Sequence, residues 1–139
     1  MNTDKNTQEI SPTTIVTSIL KEEELTGKIL EAAFAVHNTL GVGFLERVYS
    51  NALALELRSK GLTCRQEQPL KVTYKNAIVG DYIADLVVGN RVLVELKACT
   101  LLDPVHGAQL INYLRASGIK VGLLLNFGKT KLQFRRLVC

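Results

Sequence analysis

Residues 82–98 decide the fold: Tyr82-Ile83-Ala84-Asp85-Leu86-Val87-Val88-Gly89-Asn90-Arg91-Val92-Leu93-Val94-Glu95-Leu96-Lys97-Ala98. Two apolar runs flank the turn signal Gly89-Asn90, so the segment reads as two strands folded back on each other. Side chains two apart on a strand face the same way, which puts Glu95 and Lys97 on one side and Val94 and Leu96 on the other. The turn lays the strand bearing Asp85 alongside, so Asp85 and Glu95 can converge across adjacent strands. A carboxylate among apolar neighbours is expensive to bury without a partner. Two of them on neighbouring strands make a hard-oxygen site suited to Mg²⁺. Such an ion can hold a phosphodiester, stabilise charge on its oxygens and lower the pKa of a bound water, with Lys97 beside it to orient that water. Glu-x-Lys is also common on solvent-facing strands, where it is only a surface pair. The apolar flanks on both strands are what favour a site.

Outward from this hairpin the pattern is mixed. Leu25, Ile29, Ala32, Ala33, Val36 and Leu40 recur at the spacing of one helix face, and Gly41-Val42-Gly43 stops that helix. A second helix follows from about Phe44, with Leu45, Val48, Tyr49, Ala52 and Leu53 on one face and Lys60-Gly61 at its end. The short connection makes the two a helical hairpin. Leu62–Glu67 and Leu70–Tyr74 read as short strands broken at Pro69, and Lys75-Asn76 as a tight turn into the strand Ile78–Val88. Arg91–Ala98 follows as the next strand. Asp103-Pro104 supplies an N-cap and a first-turn proline for a helix that Gly118 ends. Ile119–Phe127 is an apolar run of buried-strand length, and Leu132–Leu137 alternates like an edge strand. The order ααβββ(β)αββ predicts an α/β (α+β) layered domain with a mixed sheet flanked by helices.

The chain has 139 residues, enough for one domain with one core, and is 47% apolar. Residues 1–24, rich in Thr, Ser and Asn at their start, read as a flexible tail, leaving residues 25–139 as the domain. No apolar run reaches membrane-spanning length and no signal-peptide layout opens the chain, so a cytoplasmic location is expected. Cys64, Cys99 and Cys139 are odd in number and lack CxxC spacing. A disulfide framework or a structural zinc site is therefore not expected. Residues 1–24 carry two lysines against five acids, a net −3, so the remainder of this +4 chain carries +7. A basic domain suits a polyanionic partner.

Further candidates lie on the helices. Gln109 and Tyr113 are four apart and share a face; Gln109 can bond a water or a phosphate with Tyr113 supporting it, or the two can be the rim and core of an ordinary amphipathic helix. Glu46 can add a carboxylate to the site or can simply favour a helix N-terminus, and Glu56 shares that ambiguity. His37 reads as packing or capping near Gly41, and His106 as a phosphate contact near Gln109. No Gly-rich phosphate loop is present.

The segments VHNTLGVGFLERVYSNALALEL, YIADLVV, VLVELKA, HGAQLINYL and VGLLLNFG resemble the GxxExxY proteins, which are placed in the PD-(D/E)XK nuclease superfamily. The resemblance runs from about Leu25 to Val138. Its Gly-x-x-Glu-x-x-Tyr element falls on Gly43, Glu46 and Tyr49, its lone acid on Asp85, its Glu-x-Lys on Glu95 and Lys97, and its Gln-x-x-x-Tyr on Gln109 and Tyr113. It implies a restriction-endonuclease-like core, Mg²⁺ or Mn²⁺ on Asp85 and Glu95, and cleavage of nucleic acid, DNA before RNA. It also implies that Glu46 serves the metal site. Two other readings stay open: a nucleic-acid-binding module that does not cut, and a protein-interaction subunit acting as a homodimer or with a larger partner.

Overall fold

The computed structural model describes the backbone of residues 12–139 and the side chains from residue 22 onward. Its elements are α1 (Pro12–Leu40), α2 (Glu46–Ser59), β1 (Cys64–Tyr74), β2 (Ala77–Val88), β3 (Val92–Lys97), α3 (Pro104–Ser117), β4 (Val121–Asn126) and β5 (Gln133–Val138). The sheet order is β1-β2-β3-β4-β5, antiparallel except for the parallel β3–β4 pair that α3 connects. This is the mixed, helix-flanked α+β sheet expected from the sequence. Among the described residues no helix is long and apolar enough to cross a membrane.

Two cores hold the layers together. On one face Ile29, Ala33, Tyr49, Leu53 and Leu57 of α1 and α2 pack on Leu86, Val94, Leu96, Leu123 and Leu125. On the other, Leu110, Tyr113 and Leu114 of α3 pack on Val87, Leu93 and Leu124. Strand alternation assigns the residues: Val94 and Leu96 go to one core, while Leu93 between them and the start of the strand goes to the other. All of β4 is buried, which explains its unbroken apolar run.

Three sequence boundaries need correction. The helix predicted from Leu25 begins at Pro12, so the expected tail is helical over residues 12–24, and its residues 1–11 lie outside the described residues. The two short strands around Pro69 are one strand. A proline is tolerated there because β1 is an edge strand, paired on one side only. The second helix begins at Glu46 rather than Phe44, after a Gly41–Leu45 loop in which Gly41 and Gly43 have φ of 70° and 107°.

The turn signals behave as read. Lys75 and Asn76 both have positive φ, as a tight hairpin turn requires. Asp103 caps α3: its Oδ1 accepts from the Val105 amide at 2.9 Å, and His106 Nδ1 accepts from the Asp103 amide at 3.1 Å. Gly118 closes the helix with φ of 75°. Asp103→Ala should therefore lower stability by about 1 kcal/mol, read from the urea midpoint of the variant; an unchanged midpoint would show that the cap contributes nothing.

Candidate metal centre

The β2–β3 ladder pairs Val88 with Val92, Val87 with Leu93 and Leu86 with Val94, and stops there. Beyond that point β2 goes on pairing with β1, and β3 with β4. The sheet thus splits at the next position, which is Asp85 on one strand and Glu95 on the other. Their side chains fill the gap that the ladder leaves. Glu95 Oε1 accepts from the Asp85 amide at 3.0 Å, and Asp85 Oδ2 accepts from the Leu96 amide at 2.8 Å. Each carboxylate is tied to the other's strand, so both are held at one point.

A second distortion opens the site to solvent. Cys64 of β1 packs in the α1–α2 core, while Leu70, six residues on, packs under α3. Regular alternation would put both on the same face. The break falls at Glu67, a non-glycine residue with φ of 52°. On β2 the same switch separates Leu86 from Ala84, with Asp85 between them. Both strands are re-aimed at facing positions, and a cleft of about 240 Å³ results, lined by Glu46, Arg47, Ser50, Glu67, Ile83 and Asp85. Arg47 and Glu67 form an exposed ion pair at this cleft.

Glu95 is buried, with 6% of its surface exposed, and Asp85 is half-buried. Burial first, then the charge of Asp85, pushes the Glu95 carboxyl up to about 8, against the pull of the Asp85 amide and of Lys97. Lys97 is close enough for its charge to be felt, yet among the described residues it forms no ion pair with either acid. The Lys97 carbonyl accepts from the Phe127 amide at 2.8 Å. Just beyond, buried Asn126 clamps the chain: its Oδ1 accepts from the Cys99 amide at 3.0 Å and its Nδ2 donates to the Cys99 carbonyl at 2.9 Å. These bonds fix the end of β3, and with it Lys97.

The other candidates divide. Gln109 Nε2 donates to the Tyr113 hydroxyl at 3.0 Å. Burial, then the charges of Glu95 and Asp85, raises the Tyr113 pKa, while the pair lines the groove beside α3 and not the cleft lined by Asp85. Glu46, exposed at the start of α2, shares the cleft with Asp85. Glu56 and His106 line neither that cleft nor the groove beside α3. His106 is used in the cap of α3. His37 packs beside Phe127 with ring centroids 5.9 Å apart, and its Nε2 lies 2.7 Å from the Lys129 carbonyl oxygen. Sequence reasoning missed Arg47, Glu67 and Asn126. Only Asn126 left a trace, as a polar residue closing an apolar run.

A family model described as the PD-(D/E)XK nuclease superfamily matches residues 23–137. The chain belongs to the PD-(D/E)XK nuclease superfamily. Nucleases of the PD-(D/E)XK superfamily typically use a divalent metal. A solved structure described as "Crystal structure of SSO0001" aligns with a TM-score of 0.52 at 15% identity, over 67% of this chain and 50% of that one. The likeness bears on the fold alone. The aligned part spans about half the length of that chain. No curated protein matches.

The residues present fit a divalent cation. Burial and the neighbouring Asp85 charge raise the Glu95 pKa, and a divalent cation held between the two carboxyl groups would offset both. Among the described residues no three His, Cys, Asp or Glu side chains gather to hold a metal by themselves. A cation here would keep water in its shell, as Mg²⁺ does.

A pH dependence follows for this PD-(D/E)XK protein when metal is removed. The folded chain keeps a proton on Glu95 from its ordinary 4.5 up to about 8, and the unfolded chain does not. Folding stability from this group is therefore fully present below 4.5 and is lost as pH rises toward 8. In EDTA, the melting temperature of the wild type should fall between about pH 5 and about pH 8 relative to Glu95→Gln. Parallel curves for the two proteins would contradict the assignment.

Proposed function

We propose that this protein is a Mg²⁺- or Mn²⁺-dependent nuclease that cleaves phosphodiester bonds of nucleic acid, DNA in the first instance. The observation that carries the reading is the split between β2 and β3, filled by Asp85 and Glu95 with their side chains crossed onto each other's strands. Asp85 and Glu95 are the metal ligands. When bound, the cation supplies charge to offset the phosphate oxygens and a more acidic water. Lys97 holds its ammonium beside the acids, where it orients the attacking water or offsets charge on the phosphate. Glu46, across the cleft, accepts a hydrogen bond from water. Gln109 orients water or phosphate, and Tyr113 is a positioning residue that holds Gln109 in place. The Gly43, Glu46 and Tyr49 pattern supports assignment to the GxxExxY family. Free Cys64, Cys99 and Cys139 suit a reducing cytoplasm.

The test is cleavage of single-stranded, duplex and branched DNA by purified protein with Mg²⁺, Mn²⁺ or EDTA. Cleavage should require the metal and should drop by about 10²–10⁴-fold in Lys97→Ala. Substrates left intact under all conditions would overturn the reading. A non-cutting binding module would instead show salt-sensitive DNA binding with no cleavage. A protein-interaction role draws on exposed Tyr74, Ile78 and Val79 around the tip of the β1–β2 hairpin, and size-exclusion of the pure protein measures it.

A further inference from the structure

A second and larger opening lies beside the metal centre. It is a groove of about 780 Å³ between α3 and the β1–β2 hairpin, and its walls include Lys71, Tyr82, Gln109, Asn112, Tyr113 and Arg115. Among the described residues no acidic side chain lines it. Tyr82 sits three residues before Asp85 on β2 and is 47% exposed, with its ring at the groove wall. It lies 5.5 Å from buried Tyr113, with the two rings inclined at 44°. Tyr113 in turn packs in one core with Ala84, the residue before Asp85 on β2, so the groove runs along β2 toward Asp85.

The chemistry of the walls selects a ligand. A half-exposed ring backed by a second ring offers a π-face on which a base can stack. Arg115 is exposed and forms no ion pair among the described residues. Lys71 is paired with Asp81, but both side chains are more than half exposed, and such pairs contribute little and exchange readily. Two cations are therefore available for phosphates, and the side-chain amides of Gln109 and Asn112 for base edges. The volume falls within the range of about 300–1,000 Å³ that holds a drug-sized ligand, room for a nucleotide or two and too little for a duplex.

We propose that this groove binds single-stranded nucleic acid, with a base stacked on Tyr82 and phosphates held by Lys71 and Arg115, and delivers the strand to Asp85 and Glu95. The proposal rests on the nuclease reading and adds its substrate class: a single strand, or the frayed end of a duplex.

The chain has no tryptophan, so Tyr82→Trp places a single reporter in the groove. In a Glu95→Gln background that prevents cleavage, a short thymidine oligonucleotide should quench this fluorescence, and a duplex of matched length should quench it less and bind more weakly. Tyr82→Ala should weaken single-strand binding by about tenfold, as loss of one stacked base does. In the cleaving protein it should act through KM and leave kcat near wild type. Arg115→Glu should weaken binding further and flatten its salt dependence. Equal response to single strand and duplex, no quenching, or unchanged binding by Tyr82→Ala would each overturn the proposal. So would a dimer that Tyr82→Ala dissolves without affecting oligonucleotide binding, which would assign the groove to a second copy of the chain. The two readings fail separately. Tyr82-dependent single-strand binding by a wild type that never cleaves removes the nuclease and keeps the groove. Cleavage indifferent to Tyr82→Ala removes the groove and keeps the nuclease.

Discussion

Glu95→Gln should reduce metal-dependent cleavage by about a thousandfold or more, because loss of a ligand carboxylate removes several kcal/mol of charge stabilisation. The fold should survive. Glu95 accepts from the Asp85 amide through Oε1, and the glutamine carbonyl can accept the same bond. In the metal-free protein the buried acid already carries a proton at neutral pH, since its pKa is raised to about 8, so the amide mimics its resting state. The variant should thus be at least as stable as wild type in EDTA, and should lose the stabilisation that Mg²⁺ or Mn²⁺ gives wild type. Thermal melts with and without metal, run beside the cleavage assay, check both halves. A variant that still cuts at wild-type rate would remove Glu95 from the chemistry. A variant that fails to fold would show the residue to be structural.

Tyr49→Ala should be the most damaging single change to the fold. Tyr49 is fully buried and stacks on Phe127, with centroids 4.7 Å apart and planes 15° from parallel. Its hydroxyl donates to the Gly41 carbonyl at 2.6 Å and accepts from the Phe44 amide at 3.3 Å. One side chain therefore spans the Gly41–Phe44 loop and anchors the start of α2, where Glu46 sits. Truncating a buried aromatic costs about 3–5 kcal/mol, which in a chain of this size lowers the melting temperature by roughly 10–20 °C. Tyr49→Phe keeps the stack and loses the two hydroxyl bonds, at a cost of about 1–2 kcal/mol. Calorimetry on the two variants separates packing from hydrogen bonding. Equal losses in both would mean that the ring contributes nothing beyond its hydroxyl. The glycine, glutamate and tyrosine of this motif thus divide the work: Gly43 turns the loop, Tyr49 pins it, and Glu46 alone reaches the cleft.

Much of this was legible in residue order because the signals are local. Asp103, Pro104 and Gly118 mark the ends of α3 with side chains and a backbone preference that act within one turn. Lys75-Asn76 and Gly89-Asn90 mark hairpins for the same reason. Asp85 and Glu95 could be set opposite each other because the turn between them fixes the register. What stayed hidden is tertiary. Pro69 argues for a break, and only the edge position of β1 allows the strand to run through it. Glu67 is an ordinary residue for a strand, and nothing near it announces a positive φ or a switch of faces. Arg47 reads as a surface helix residue until β1 brings Glu67 beside it. The start of α1 at Pro12 falls in a Thr- and Ser-rich stretch whose apolar spacing is too weak to mark a helix face.

The central claim is that Asp85 and Glu95 share one divalent cation. A crystal of the protein grown with Mn²⁺, with data collected for the manganese anomalous signal, tests it directly. The account predicts one peak in the gap between β2 and β3, at about 2–2.5 Å from a carboxylate oxygen of each residue. A peak elsewhere on the chain, or none at saturating Mn²⁺ with the two side chains still bonded across the strands, would contradict it.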